Sequence, residues 1–238
     1  MIQGLYSNAA AMDVLTQRQE LISSNLAHMN TGGHRRSRIG VSKRSVPDFQ
    51  GRIGELGPEV SIAKVDFSQG RLHRTGAPLD FAISGDGFFV VEGDGGELLT
   101  RNGRFHIDPD SNTLVNEEGF PAQGENGAIQ IDSSIPASAI SISANGTLSA
   151  NGESLGKLRI AAFEDNEQLE LVSATYFREG ANAVAKESDA SVQQYFMEMS
   201  NVNPVSELVA LIVSSRRFEA AQRASKVISD TLRENIRA

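Results

Sequence analysis

The sequence predicts a mixed α and β chain: an N-terminal and a C-terminal helix of coiled-coil type bracketing a central all-β domain. Apolar residues recur at heptad spacing at both ends of the chain. Short aromatic and β-branched runs, separated by Gly, Asn and Asp turns, fill the middle. Charge follows the same division. Residues 1–80 hold ten Lys/Arg and seven Asp/Glu, residues 81–180 hold five and sixteen, and residues 181–238 hold seven of each.

Residues 1–29 predict the first helix. Leu5, Met12 and Leu26 share one heptad position, and Met1, Leu15, Ile22 and Met29 share the other. Asn8 and Gln19 interrupt this seam, and Thr31-Gly32-Gly33 is the expected stop. Residues 34–66 lack a clear pattern and read as an extended linker. The strands follow. Phe81–Ile83 and Phe88–Val91 flank Gly85-Asp86-Gly87, and Phe105–Ile107 and Thr113–Val115 flank the turn Asp108–Asn112. Ile140–Ile142 and Thr147–Ser149 flank Asn145-Gly146, a hairpin signal because both residues tolerate positive φ. Leu158–Phe163 is a further strand. Residues 181–199 read as a second linker. Asn203-Pro204 then opens the last helix, with Pro in its first turn. Val205, Leu208, Val209 and Ile212 form one apolar face of it, while Leu211, Phe218, Ser225 and Leu232 repeat every seven residues. The expected organisation is a helical assembly domain (1–33 plus 200–238), a linker (34–66), a β domain (67–180) and a linker (181–199). The β domain is expected to fold without the chain ends.

A chain of 238 residues allows one large domain or two small ones. It has no Cys, which excludes disulfides, thiolate metal sites and Cys nucleophiles. No apolar stretch reaches membrane-spanning length, so no direct membrane insertion is expected, and the first 29 residues lack the pattern of a secretory signal. The acidic middle is a poor nucleic-acid surface, and the basic run Arg35, Arg36, Arg38, Lys43, Arg44 has no interleaved aromatics for stacking on bases. That run reads either as a solvated linker or as a contact for an acidic surface on a neighbouring subunit. The four His have no metal-ligand spacing. Asp108-x-Asp110-x-Asn112 lacks the Gly and Glu that a calcium loop needs, and Gly93–Gly96, not followed by the Lys-Ser/Thr of a phosphate loop, reads as a hairpin turn. The expected catalytic, cofactor and metal sites are therefore none. An enzyme with its site in the β domain, acting on the cell wall, stays open as the alternative to a self-assembling structural protein.

The ends decide between these classes. A lone amphipathic helix is marginal, since backbone ordering costs about 1–2 kcal/mol per residue. The two terminal helices therefore either pair with each other or pack against other chains, and both can hold if the pair docks into a larger bundle. Before assembly, residues 1–29 and 204–238 are expected to be mobile.

Several separated motifs resemble one family. Ser24-Asn25-Leu26-Ala27 with Asn30-Thr31-Gly32-Gly33 resembles the N-terminal signature of bacterial flagellar rod and hook proteins. Gln69-Gly70, Thr75–Ile83 and Gly85–Phe89, continued by Thr100–Phe105, are similar to its central motif. Ser200-Asn201-Val202-Asn203 and Arg217-Phe218-Glu219 are similar to its C-terminal elements. Within the family the chain resembles the proximal-rod type more than the distal-rod type, because the stretch between Arg38 and Phe67 is short.

The resemblance implies a structural subunit of the basal-body rod, needed for flagellum-dependent motility. It implies polymerisation through the terminal helices around a channel, with the β domain outward. Its partners would be copies of itself, other rod subunits and the flagellar export apparatus, through which it would pass unfolded without a cleaved signal. Assembly residues on this reading are Leu5, Met12, Leu15, Ile22, Asn25, Leu26, Asn201, Val202, Asn203, Leu208, Leu211 and Phe218. Two residues depart from the family pattern. His34 stands where Phe or Tyr is usual, which implies a weaker packing contact between subunits. Tyr195 stands where a Gly often precedes the C-terminal element, which implies a different local turn.

Overall fold

A computed structural model describes residues 2–47, 53–132 and 134–237. The chain divides into two compact units. One, the helical unit, holds residues 1–27, 36–66 and 202–238; the other, the central unit, holds residues 28–35 and 67–201.

In the helical unit, α1 (Ile2–Ala27) and α2 (Pro204–Arg237) run antiparallel. Asn8 Nδ2 donates to Ala221 O at 2.8 Å, Ser214 Oγ donates to Leu15 O at 3.4 Å, and Asn25 faces Glu207. Glu207, Leu211, Ser214, Phe218, Ala221, Ser225 and Ile228 of α2 are buried or half-buried and lie alternately four and three residues apart, with Ala210 and Ser229, also half-buried, beside them. That is the spacing of one helix face. Asn8, expected to break the α1 seam, thus serves it through a hydrogen bond to the opposite backbone. Asn203 caps α2: its Oδ1 accepts the Ser206 N–H at 3.2 Å, and Pro204 takes the first helical position, where no N–H is needed.

The stretch expected as a linker over 34–66 is an antiparallel ribbon of β1 (Ser37–Pro47) and β2 (Ile53–Val65), with Ser37 opposite Val65 and Pro47 opposite Ile53. Gly40, Gly54, Gly57 and Pro58 inside the strands mask the alternation that would have announced it. Similarly, α1 stops at Ala27 rather than at Thr31-Gly32-Gly33, because residues 28–35 leave the helix and belong to the central unit.

The central unit is built of short strands. Its largest sheet has six, in the order Glu170–Ser173, Tyr176–Arg178, Gly96–Thr100, Phe88–Gly93, Ile160–Phe163, Ala185–Lys186. Three hairpins pair as expected: Phe88–Gly93 with Gly96–Thr100, Phe105–Asp108 with Thr113–Asn116, and Ile140–Ile142 with Thr147–Ala150. Phe81–Ser84 does not pair with Phe88–Gly93; its partner is Ser191–Gln194. Residues 181–199, expected as a linker, therefore contain strands of the unit, including Phe196–Glu198 paired with Leu72–Arg74. These strands are too short to show a period of two. The core gathers Phe81, Ile83, Phe89, Val91, Phe105, Leu114, Ile131, Ile140 and Leu148, all nearly or fully buried. The Phe89 and Phe105 rings meet edge to face at 5.5 Å, the arrangement that ring quadrupoles favour.

Candidate assembly surface

The seam of α2 faces α1, and that leaves the rest of α2 to account for. Val205, Leu208, Val209, Ile212 and Val213 are between 42% and 71% exposed. Their spacing of three, one, three and one residues places them on one stripe, away from the positions that meet α1. At roughly 25 cal/mol per Å² of apolar area removed from water, such a stripe stabilises nothing until a partner covers it. It is a continuous apolar stripe rather than a scatter of single surface residues.

The twelve residues expected at the assembly surface separate into groups. Asn25, Ile22 and Val202 are buried. Met12, Leu15, Leu26, Leu211 and Phe218 are half-buried, the last two on the seam, and so is Asn201, whose Nδ2 donates to Ser68 O at 3.0 Å. Asn203 is the helix cap, and Leu208 alone of the twelve lies on the exposed stripe. Leu5 lies in α1, with its side chain outside the described residues. The members of the expected set on α2 are thus divided between two faces of that helix.

A polar joint fixes the start of α2 against the rest of the helical unit. The Asn25 side chain behaves as a strand partner for Ser37: Nδ2 donates to Ser37 O and Oδ1 accepts Ser37 N–H, both at 2.9 Å. Glu207, buried, reaches Arg36 at 2.5 Å and lies 3.5 Å from Asn25 Nδ2. A half-open cavity of about 190 Å³ borders this joint, lined by Ile22, Asn25, Arg36 and Glu207 among others. Glu207 does not stand out in the sequence, because a carboxylate on a predicted helix reads as solvated. The clue was its place four residues after a capping Asn.

The central unit has a buried charge centre of its own. Glu198 is fully buried between two arginines, with Arg35 Nη1 at 2.7 Å and Arg101 Nη1 at 3.1 Å. Gly70 N–H also donates to Glu198 Oε1 at 2.7 Å. Burial lowers the Arg101 guanidinium pKa, opposed by Glu198, and Arg101 also lies over the Phe88 ring at 5.2 Å. Close backbone approach is required here: a Cβ on Gly70 would stand 1.9 Å from the Met199 carbonyl oxygen. Gly33 has φ +70°, and a Cβ there would stand 2.3 Å from Asn102 N.

The described members of the basic run thus find partners within the chain. Arg35 binds Glu198, Arg36 binds Glu207 and Arg38 binds Asp66, while the side chains of Lys43 and Arg44 lie outside the described residues. Both family departures also resolve. His34 is buried within the chain's own central unit, so it is not an exposed contact between subunits. Tyr195 adopts φ 67°, the left-handed conformation that Gly takes without strain. No group of three or more metal-ligating side chains occurs among the described residues.

Two family descriptions match this sequence: "Flagellar hook protein FlgE/F/G D1 domain" over residues 82–150 and "Flagellar basal body rod FlgEFG protein C-terminal" over residues 193–237. The flagellar basal-body rod protein FlgF of Mesorhizobium japonicum is 32% identical over 227 residues, covering 92% of this chain and 90% of the relative. The chain belongs to the flagellar basal-body rod protein family. The FlgF protein of Salmonella typhimurium is 30% identical, over 92% of this chain and 91% of its own. The rod protein FlgG of Agrobacterium fabrum is 32% identical, over 93% and 92%. This rod-family chain is accordingly a structural subunit of FlgF/FlgG type, of a family that works in the flagellar basal body and so in flagellar motility. The C-terminal family match contains the whole exposed stripe of α2, and the other falls entirely within the central unit.

Proposed function

We propose that this chain is a proximal-rod subunit that polymerises with copies of itself and other rod subunits through the exposed stripe of α2. The observation that carries the reading is the stripe Val205, Leu208, Val209, Ile212 and Val213, left uncovered on a helix whose opposite face is already engaged by α1. The terminal helices then act as one assembly domain, each pair docking in coiled-coil fashion into a bundle of neighbours. The subunit reaches the periplasm-spanning rod through the flagellar export apparatus. It makes no direct membrane insertion, binds no nucleic acid and catalyses no reaction.

Assignment to the proximal rather than the distal rod rests on length. The match to the Agrobacterium FlgG protein runs over 252 positions, more than the 238 residues of this chain, whereas the two FlgF matches run over 227 and 235. The FlgG type therefore carries segments that this chain lacks. The distal-rod reading keeps support from the Agrobacterium protein, whose 32% identity equals that of the Mesorhizobium FlgF protein.

The test is complementation of a strain deleted for the gene. Leu208→Asp and Val209→Asp should abolish rod assembly, seen by electron microscopy of basal bodies, and abolish swimming. The purified variants should melt within about 0.5 kcal/mol of the native chain, as surface substitutions do. Normal basal bodies with Leu208→Asp would refute the reading. Leu211→Asp is the wrong probe, because Leu211 is half-buried on the seam with α1 and its loss damages the subunit itself.

A further inference from the structure

Residues 28–35 form a strap built into the central unit. Gly33 N–H donates to Glu198 O at 2.8 Å. Arg35 closes the other end, on Glu198 at 2.7 Å and on Ser68 O at 3.0 Å. Between these two anchors lies His34, which is 4% exposed.

The protonation of this ring follows from its contacts. Nδ1 lies 2.7 Å from the carbonyl oxygen of Ala174. A carbonyl only accepts, so Nδ1 carries the proton and Nε2 is the bare nitrogen of a neutral imidazole. Nε2 is buried and has no hydrogen-bond partner. The titratable and charged groups facing the ring are His28, whose own ring stands 5.1 Å away, and Arg35. Both are bases, and the segment carrying Ala174 contributes a backbone carbonyl. A second proton, on Nε2, would find no acceptor and would add a positive charge beside a buried guanidinium.

We propose that the strap is an acid-opened latch: protonation of His34 at Nε2 drives the ring out and releases residues 28–35 from the central unit. Burial holds His34 below its ordinary value of 6.5, against the pull of the Ala174 hydrogen bond and with help from His28 and Arg35. The released ring titrates at its ordinary value and so binds a proton that the closed strap refuses. The latch is therefore fully closed above pH 6.5 and weakens as pH falls from there towards the lowered value of the closed state. One proton gives at most a tenfold loss of the closing constant per pH unit. Asp108, Glu117 and Asp132 are each held below their ordinary carboxyl values and act at lower pH, outside this window.

The Gly33 amide reports directly on closure, because its partner is Glu198 O. Hydrogen exchange of the full chain is measured from pH 7.5 to pH 5, as protection factors that divide out the intrinsic rate. Protection at residues 28–35 should fall by up to about tenfold per unit below pH 6.5. In His34→Phe it should stay flat, and in His28→Phe it should fall as in the native chain. Flat protection in the native chain, a parallel fall in His34→Phe, or loss of the fall in His28→Phe would each overturn the proposal. Should His34→Phe fail to fold, NMR titration of the native His34 ring decides: a value clearly below 6.5 supports the latch, and a value at or above it refutes it.

Discussion

The helical and central units solve opposite problems. The central unit carries nine Lys/Arg against twenty Asp/Glu, and nine of the eleven Phe. It buries six of those rings and encloses the Glu198 carboxylate between two arginines. The helical unit carries thirteen Lys/Arg against ten Asp/Glu. Its internal seam includes Glu207, Ser214, Ser225 and Asn8, while Val205, Leu208 and Val209 face outward. One unit is saturated within the chain and the other is not. A polar inner seam with an apolar outer stripe is a poor design for an isolated helix pair and a sound one for a pair awaiting neighbours.

The largest expected effect tests the saturated side. Glu198→Ala leaves Arg35 and Arg101 buried without their counter-ion, and should cost about 3–5 kcal/mol in urea unfolding of the full chain. Replacing all three of Arg35, Arg101 and Glu198 by Met should cost much less, because no buried charge is then left alone. Equal losses in the two variants would show that the centre acts through packing. The same arithmetic bears on the expectation that the middle of the chain folds without its ends. A fragment starting at residue 40 lacks Arg35, so it should be less stable than one starting at residue 28 by a comparable amount.

A middle-sized effect tests the seam. Asn8→Ala removes the hydrogen bond to Ala221 O and should cost about 1 kcal/mol, read as a lower melting temperature of the isolated chain. In the isolated chain, amide exchange should be faster along α1 and α2 than across residues 81–83 and 88–91. Slow exchange over residues 5–26 of a proven monomer would make the helix pair self-sufficient and erase the contrast between the units. The smallest effect is at Tyr195. Tyr195→Gly relieves a left-handed conformation but adds unfolded-state entropy, so melting should rise by at most about 1 kcal/mol in stability terms.

Much of this was readable in advance, and the misses share a cause. The last helix, its Asn203-Pro204 start and three hairpins follow from local chemistry: a cap that accepts an N–H, a Pro with none to give, turn residues that tolerate positive φ. The ribbon over residues 37–65 was missed because Gly and Pro interrupt its alternation and because pairing, not pattern, makes it a ribbon. The lock of Arg35, Arg101 and Glu198 was missed because its members lie far apart in sequence. Each taken singly reads as an ordinary surface charge.

The sequence by itself determined the helix–β–helix order, the acidic middle, the family and the presence of an apolar face on the last helix. These depend on neighbours within about a turn, or on composition, and both are written along the chain. The tertiary structure decided which face of α2 is outward, that residues 28–35 complete the central unit, and that His34 is enclosed with one bare nitrogen. Those depend on which distant segments meet. Burial, and with it the behaviour of every charge in the interior, is a property of that meeting rather than of any local stretch of sequence.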